Sequence, residues 1–514
     1  ILARCLPEPL QPFLAQPPWV LGAFPSVTRA YLRLVWHRLA PALERIALPT
    51  PRVPSVHRVP VLTVYAPEPR PSATHTFVFC VGDWAAHLTP ETDAAAVLPM
   101  LAPVGVHIAQ DARLLQVLCR FAAQAMDRAP WMQLLRTQVL PAVALAEAGA
   151  PLLYELWACV QTLSYPERYA LYGEWKHRAF QRRELRAAKA ATEREARGIL
   201  RRVSADNVRA SGRSLAKAAH TNPTVFFDVV LHQVQSYDNL IEPVVDAAKY
   251  LTPLEYDVCS YALLEALANP ARARIKSDGT HASLWLKSLA SFAGAFFRKY
   301  AVMDCTPVLQ YLVNQLQQGH GNDLIVLSEL VLKMAGIEPV GELSDAQTAA
   351  LSGGPLLQGE AMLTLIAAPS PTAALLARNA FKKAGSRLHR TLVQSRLALA
   401  LLVLMAQHRQ RCVFETEAHI KSLSSAYDTV QSYLFQYAHF LAAQGAQAYA
   451  ELVPSPAEWV RRFGVDVPMA FHLARPKLAW AMQAAAEPMQ AEPSAAGDAA
   501  EPGDAARAPR IQSI

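Results

Sequence analysis

The sequence predicts an all-α protein, an irregular α-solenoid whose helices are joined by short loops, and two observations support this fold class. Glycine accounts for 21 of 514 residues, about 4% against the roughly 7% of average proteins, which disfavours turn-rich β folds. Apolar side chains recur at helical spacing, and helix-starting signals precede them. With 52% hydrophobic residues, the chain can bury a large core.

The first 89 residues form a proline-rich segment that differs from the rest of the chain. Residues 1–71 contain 14 of the 38 prolines, and proline interrupts both helices and strands. One helix is predicted near residues 27–39. Alternating apolar residues at 61–65 and 76–80 favour a short β-hairpin.

From residue 90 onward, capping signals mark the helix starts. Four segments carry the capping-box pattern. In this pattern a hydroxyl accepts a hydrogen bond from the backbone amide three residues on, and the Glu or Gln side chain at that position accepts one from the backbone amide of the hydroxyl residue. These segments begin at Ser164, Thr252, Ser344 and Ser455. Asn222 and Thr306 each precede a proline, and each is predicted to cap a helix that begins at that proline.

Between residues 222 and 335 the sequence predicts about six helices of roughly 10 to 18 residues. Four apolar stripes define their buried faces: Phe226, Val229, Val230 and Val234; Trp285, Leu289, Phe292 and Phe296; Leu309, Leu312, Val313 and Leu316; Leu324, Leu327, Val331 and Met334. Asn269-Pro270, Gly319 and Gly336 mark helix ends. Short loops predict antiparallel neighbours, either in a HEAT- or MIF4G-type solenoid or in a compact bundle, and the chain length favours the solenoid.

A basic segment is the strongest physical signal. Between Lys176 and Lys217 lie 13 Lys and Arg residues against four Asp and Glu. Cations at spacings of four, three, eight and four predict a row along one side of a helix, and a further arginine follows. The predicted contact residues are Arg182, Arg186, Lys189, Arg197, Arg201 and Arg202.

Two interpretations of this row remain open. Cations on one helix face bind phosphates through counterion release and favour RNA contact. Alternatively, the row is a solvated face, or a face that pairs with an acidic protein partner. No aromatic residue lies within the row, so it offers no platform for base stacking.

The sequence contains no recognisable catalytic motif: it has no glycine-rich nucleotide loop, no HExxH zinc motif and no nucleophile elbow. Its seven cysteines are widely spaced without a CxxC pair, which excludes a disulfide scaffold and fits a reducing compartment. The longest apolar run, 397–406, is about half a bilayer span. We therefore expect a soluble, intracellular, non-enzymatic protein with no cofactor, metal or membrane contact.

The composition changes towards both ends. Residues 483–514 are mainly Ala, Glu, Pro, Gly and Asp, which cannot bury enough surface to offset ordering entropy, and a disordered tail is predicted. The sequence begins with Ile1 rather than Met, and we interpret it as part of a longer protein.

Segments of distinctive sequence occur between about residues 90 and 480. They are YGEWK at 172–176, SG at 211–212, NPT at 222–224, YDNL at 237–240, PVVD at 243–246, KYLT at 249–252, YDV at 256–258, EALANP at 265–270, WL at 285–286, SLASF at 288–292, FRKY at 297–300, KMAGI at 333–337, LMAQ at 404–407 and RP at 475–476. Together they resemble the THO complex subunit 2 family, the large scaffold subunits of a nuclear assembly that couples transcription to mRNA export.

The resemblance implies an elongated α-solenoid. Residues 90–206 would be an N-terminal helical solenoid ending in the basic helix, and residues 207–482 a MIF4G-like domain. It also implies that family members continue beyond this region with further helices and a basic tail.

The function expected from the resemblance is that of a non-catalytic scaffold in the nucleus. Its implied partners are the other THO subunits, the DEAD-box helicase of mRNA export, and mRNA. The alternative is a HEAT- or MIF4G-type adaptor in translation initiation or nuclear transport, because the same helical periodicity would appear there.

Overall fold

The computed structural model describes residues 24–45, 94–146, 149–204, 206–339, 349, 357, 371–414 and 419–490. Regular structure in these residues is helical, and one isolated antiparallel bridge joins Ile275 to Ala282. The all-α class predicted from the sequence is confirmed.

Ten α-helices precede residue 240 in the described part of the chain. They are α1 (Pro25–Arg45), α2 (Leu98–Leu101), α3 (Ala112–Gln124), α4 (Ala129–Leu134), α5 (Leu140–Val143), α6 (Ala150–Val160), α7 (Tyr165–Arg178), α8 (Arg183–Leu200), α9 (Val208–Thr221) and α10 (Pro223–Ser236). A π-helical turn, Leu135–Val139, connects α4 to α5. Helix α1 contains the helix predicted near residues 27–39.

The helices after residue 240 are α11 (Ile241–Ala247), α12 (Pro253–Leu267), α13 (Leu284–Lys299), α14 (Thr306–Gln317), α15 (Leu324–Ala335), α16 (Pro371–Gln394), α17 (Leu397–Arg411), α18 (Ile420–Ala443), α19 (Ala446–Leu452), α20 (Pro456–Arg461) and α21 (Val467–Gln490). The six helices α10 to α15 occupy the region where about six were predicted, which confirms their number. Helix α11 has only 7 residues, shorter than predicted, and residues 268–283 form a longer connection than the short loops predicted.

Three of the four predicted capping boxes are present. The backbone amides of Ser164, Thr252 and Ser455 donate to the glutamate three residues on, at 2.9, 2.6 and 2.8 Å. Gly336 ends α15 in the left-handed conformation, with φ of 72°, where glycine has no steric penalty. The predicted box at Ser344 and the predicted hairpin at 61–65 and 76–80 lie outside the described residues.

Two predicted caps differ from the structure. Asn222 precedes α10 as expected, but it is fully buried and its side-chain amide donates to Thr192 on α8, at 2.8 Å, because a buried amide must be satisfied by the nearest acceptor. Helix α14 begins at Thr306 rather than at Pro307. The amide and hydroxyl of Thr306 both donate to Asp304, at 2.9 and 2.6 Å, since a charged carboxylate is the stronger acceptor.

The predicted start of the disordered tail was also wrong. Helix α21 continues to Gln490, so residues 483–490 are helical. Three consecutive alanines at 484–486 explain the extension, because alanine has the highest helix propensity. Residues 491–514 lie outside the described residues.

The chain divides into two compact units, Ile1–Tyr437 and Ala438–Ile514. In the first unit α8 packs on α10, α10 on α12 and α13, α13 on α15, and α15 on α16, while α9 packs on α11 and α11 on α13. Helices therefore contact mainly those two or three positions along the chain, as in the α-solenoid predicted from the sequence. In the second unit α19 and α20 pack on α21 around the buried side chains of Tyr449, Trp459 and Leu473.

Ion pairs tie distant helices of the first unit together. The Arg168 guanidinium on α7 binds both carboxylate oxygens of Asp257 on α12, at 2.8 and 3.1 Å. Tyr172 donates to the same carboxylate at 2.9 Å. Its pKa is raised mainly by burial, and in addition by the negative charge of Asp257. Lys176 binds Asp228 on α10 and Glu265 on α12, at 2.7 and 2.8 Å. These charge-assisted bonds fix α7 against α10 and α12.

No single helix among the described residues has both the length and the apolar composition of a membrane span. Segments 376–394 and 397–411 reach that composition only as a pair, which is bent by 88°.

Candidate functional site

The basic segment forms two neighbouring helices, α8 and α9, joined by residues 201–207. Helix α8 turns a narrow stripe inward, made of Leu185, Thr192, Ala196 and Leu200, which are at most 4% exposed. This stripe contacts α9 and α10. The hydroxyl of Thr192 accepts a hydrogen bond from the side chain of Asn222, directly before α10. This bond holds α8 against the start of α10.

The opposite side of α8 carries exposed arginines. At 3.6 residues per turn, Arg183, Arg194 and Arg201 fall within about 20° of one another around the helix axis, and Arg186 and Arg197 lie about 40 to 60° to one side. All five side chains are exposed. We call these residues the cationic face: Arg183, Arg186, Arg194, Arg197 and Arg201.

The predicted row is only partly brought together. Arg186, Arg197 and Arg201 belong to the cationic face. Lys189 lies on the inward side of α8, in the direction of Ala196 and Leu200, and is half-buried. Its ammonium group sits over the ring of Phe180, 5.8 Å from the centroid. Arg182 precedes the helix in an extended conformation, with its guanidinium next to Gly105.

Arg202 lies just beyond α8 and is exposed. Its guanidinium Nε donates back to the Gly198 carbonyl at 3.0 Å. This bond holds the Arg202 side chain along the end of α8 and uses only one of its guanidinium donors.

The cationic face has little internal neutralisation. Arg197 pairs with Glu193 one turn earlier, at 3.2 Å. Within the described part of the chain, Arg183, Arg186, Arg194 and Arg201 have no carboxylate partner. An exposed pair such as Arg197–Glu193 contributes less than about 1 kcal/mol, so Arg197 exchanges this partner easily for another anion.

Sequence reasoning missed a second set of cations on α9. Arg209, Arg213 and Lys217 are exposed at successive intervals of four residues, and α9 contains no Asp or Glu. Their spacing is the signal that could have found them, since residues four apart share a helix face. Arg183 and Arg194 were missed because the predicted row started at Arg182, which precedes the helix, and therefore followed a different side of α8 from the exposed one.

The arrangement provides guanidinium and ammonium donors for anions, chiefly phosphates or carboxylates. Guanidinium groups bind both in a bidentate manner. Neither α8 nor α9 contains Phe, Tyr or Trp, and the nearby Phe180 is buried beneath Lys189. Contact with RNA would therefore involve the sugar–phosphate backbone rather than stacked bases.

Among the described residues no group of three or more His, Cys, Asp or Glu side chains is placed to hold a metal ion. The clustered titratable groups lie instead in ion pairs between helices. Burial alone would lower the pKa of Lys176, but the bonds to Asp228 and Glu265 outweigh it and raise that pKa. Such a lysine remains charged and serves to join helices.

An α-solenoid with an exposed cationic surface defines this chain as a helical-repeat protein. Two family models match it: "THO complex subunit 2 N-terminus" over residues 5–213 and "Transcription- and export-related complex subunit" over residues 215–290. Together they cover more than half of the 514 residues. The chain belongs to the THO complex subunit 2 family.

Relatives in animals, plants and yeast support the assignment. The chain is 42% identical to THO complex subunit 2 of Homo sapiens over 346 residues, covering 66% of this chain and 21% of the relative. It is 35% identical to THO complex subunit 2 of Arabidopsis thaliana over 415 residues, which covers 74% of this chain and 22% of the relative. It is 22% identical to the Saccharomyces cerevisiae protein over 417 residues, which covers 78% of this chain and 25% of the relative. The chain thus spans about a fifth to a quarter of these relatives.

The family match extends the likeness towards the N-terminus. The segments that resemble the family lie between about residues 90 and 480, whereas the match to the family's N-terminal region begins at residue 5. The proline-rich segment therefore belongs to the family's N-terminal region. The two matched regions meet within α9, between residues 213 and 215.

Proposed function

We propose that this chain is a non-catalytic scaffold segment of a THO complex, which acts in the nucleus by holding other THO subunits. The observation that carries the proposal is the set of ion pairs between helices of the first unit. Arg168 with Asp257 and Lys176 with Asp228 and Glu265 join helices far apart in the chain, and Arg274 with Asp323 joins the loop between α12 and α13 to the start of α15.

Such pairs favour a scaffold for a physical reason. A helical array presents binding surfaces at defined separations only if its helices do not slide on one another. Each of these pairs includes at least one side chain no more than 19% exposed, where breaking a pair is costly. The rigid array would hold its partners in a fixed arrangement.

The wider role that we propose is coupling of transcription and mRNA processing to mRNA export. The match to the family of transcription- and export-related complex subunits supports this role. Contact with a DEAD-box RNA helicase is proposed from the family resemblance. A rigid arc suits this task, because it can favour one separation of two mobile helicase lobes. The family match favours this function over the adaptor in translation or nuclear transport.

We assign RNA contact to the cationic face of α8 and to Arg209, Arg213 and Lys217 of α9. These cations are exposed, and all except Arg197 have no carboxylate partner within the described residues, which supports phosphate binding. Docking of an acidic protein segment is the competing use of the same face. The two differ in their response to nuclease, which removes RNA and leaves protein contacts intact.

The proposal is tested by affinity purification of the tagged chain from nuclear extract after nuclease digestion, with partners identified by mass spectrometry. We expect recovery of other THO subunits and of a DEAD-box helicase. A variant with Arg186→Gln, Arg194→Gln and Arg197→Gln serves as the matched control and should recover the same proteins. Recovery of translation factors or transport receptors in place of THO subunits would contradict the proposal.

A further inference from the structure

The loop between α12 and α13, residues 268–283, is long and has backbone hydrogen bonds of its own. Loops of this length without regular structure are uncommon in compact domains and are often functional. Two backbone bonds, from Lys276 to the His281 carbonyl at 2.9 Å and from Ser283 to the Arg274 carbonyl at 2.8 Å, close a short antiparallel ladder. Ile275 and Ala282 form its central pair.

One face of this ladder is anchored to the protein. Arg274 pairs with Asp323 at 2.8 Å and also donates to the Leu267 carbonyl at 3.0 Å. The Ser283 hydroxyl donates to the Ala273 carbonyl at 2.7 Å. From α18, the Ser425 hydroxyl donates to the Thr280 carbonyl at 3.0 Å. These bonds hold the ladder in place without using its outer side.

The outer face is apolar and exposed. Side chains alternate between the faces of a ladder, so Ala273, Ile275 and Ala282 point away from the face that carries Arg274 and Ser283. Leu284 follows the ladder as the first residue of α13. Ile275 is 39% exposed and Leu284 is 53% exposed. We call these four residues the ladder patch.

The ladder also has an open backbone edge. The bonds on either side of the Ile275–Ala282 pair make it a non-hydrogen-bonded pair, so the amide and carbonyl of Ile275 point away from Ala282. Within the described residues, neither backbone group of Ile275 has a partner. An extended chain can therefore add to this edge.

Three cations lie next to the ladder patch in the sequence. Arg272 lies over the Trp285 ring, 5.6 Å from its centroid, directly before Ala273. Lys276 follows Ile275, and by the same alternation its side chain lies on the face of Arg274, where the residues of an added strand that point to that face would meet it. Lys287 lies one helical turn after Leu284. Both lysines are exposed and have no carboxylate partner within the described part of the chain. The nearest loop carboxylate, Asp278, is bound by His281 at 2.8 Å.

We propose that the ladder patch binds an extended, acidic peptide segment of a protein partner. Its alternate apolar side chains would cover Ile275 and Leu284, its backbone would pair with Ile275, and its Asp or Glu residues would meet Lys276 and Lys287. Charge complementarity selects this occupant over a basic segment. The inference is independent of the RNA contact assigned to α8 and α9.

The test uses the full chain and a phage-displayed library of random 12-residue peptides, followed by fluorescence anisotropy with the selected peptides. We expect enrichment of peptides with alternate aliphatic residues and several acidic residues. Ile275→Ser and Leu284→Ser should each weaken binding at least tenfold, and Lys276→Glu with Lys287→Glu should do the same. N-methylation of the peptide residue opposite Ile275 should also abolish binding.

The matched control is Val302→Ser, which removes another exposed aliphatic side chain, 65% exposed, and should leave affinity unchanged. Thermal melting of each variant confirms that the fold is retained, as expected for exposed positions. Failure to select any binding peptide would overturn the proposal. So would selected peptides whose affinity is unaffected by Leu284→Ser, or displacement of the peptide by a single-stranded RNA oligonucleotide through the ladder patch.

Discussion

Arg168 and Asp257 lie 89 positions apart in the sequence and form a two-pronged ion pair, with nitrogen–oxygen distances of 2.8 and 3.1 Å. Their side chains are 11% and 9% exposed. Arg168 also donates to the Leu163 carbonyl at 2.8 Å and lies over the Trp157 ring. One residue belongs to each matched family region, so this pair links the two regions directly.

Arg168→Ala should destabilise the protein strongly. The substitution leaves the Asp257 carboxylate buried without its countercharge, which costs about 3–5 kcal/mol in comparable buried pairs. Urea unfolding should show the corresponding loss in the free energy of unfolding. Hydrogen exchange should show earlier opening of α7 and α12 than of α19 to α21.

The matched control is Arg136→Ala, which breaks the exposed pair of Arg136 with Glu174, where Arg136 is 49% exposed. It should cost less than about 1 kcal/mol. Equal losses for Arg168→Ala and Arg136→Ala would show that the buried pair has no special role in joining the helices.

Gly294→Ala should destabilise the contact between α13 and α15. A β-carbon at this position would lie 2.7 Å from the Glu329 carbonyl oxygen and 2.9 Å from Lys333 Cγ. The backbone of α15 would have to shift, and such overpacking costs about 1–3 kcal/mol. Thermal or urea unfolding measures the effect.

Gly198→Ala on α8 is the opposite case. A β-carbon there meets only the flexible end of Arg202, at 3.9 Å. Helix propensity then dominates, and the substitution should stabilise by up to about 1 kcal/mol. If Gly294→Ala were equally stabilising, the close approach of α13 to α15 would be contradicted.

The capping box at the start of α20 should make stability depend on acidic pH. The backbone amide and the hydroxyl of Ser455 bind the Glu458 carboxylate and lower the pKa of Glu458. Because the folded-state pKa lies below the unfolded one, the stabilisation is complete above about pH 4.3 and is lost as the pH falls through the folded-state pKa.

The corresponding substitution is Glu458→Gln, because glutamine keeps the capping hydrogen bonds and removes the charge. At pH 7 the variant should be less stable than the parent protein in urea unfolding. The difference should shrink as the pH is lowered towards 3. A difference that stays constant over this range would rule out a role for the carboxylate charge.

The cationic face should determine the salt dependence of RNA binding. The test variant combines Arg186→Gln, Arg194→Gln and Arg197→Gln. For binding of a single-stranded oligouridine, the slope of log K (the association constant) against log salt concentration should flatten by about 2, since each lost phosphate contact accounts for about 0.7. Fluorescence anisotropy at several salt concentrations measures this slope.

The control carries the same charge change on α16, through Lys382→Gln, Lys383→Gln and Arg390→Gln at exposed positions. Its slope should match that of the unmodified chain. If both triple variants flattened the slope equally, binding would depend on net charge alone, and the cationic face would have no specific role.

Much of the helical part could be predicted from the sequence because its signals are local. Capping at Ser164, Thr252 and Ser455 depends on residues three positions apart, and the left-handed Gly336 directly follows its helix. Asn222 deviates because its partner, Thr192, lies 30 positions away. No local pattern encodes that contact.

The candidate site shows the same division. Spacing placed Arg186, Arg197 and Arg201 on one side of α8, but where the helix begins and which side is buried depend on packing against α9 and α10. That packing separates Arg182 and Lys189 from the cationic face and adds Arg183 and Arg194. The ladder patch could not be predicted, because it depends on the anchoring of Arg274 by Asp323.

The central claim, that this chain holds protein partners through its surface, is tested most directly with purified components. The chain is mixed with recombinant THO subunits, treated with nuclease, and analysed by size-exclusion chromatography with light scattering. We expect one complex whose mass is unchanged by nuclease and which dissociates in Arg168→Ala but not in Arg136→Ala. Separate elution of the chain and the other subunits, or a complex that disappears on nuclease treatment, would contradict it.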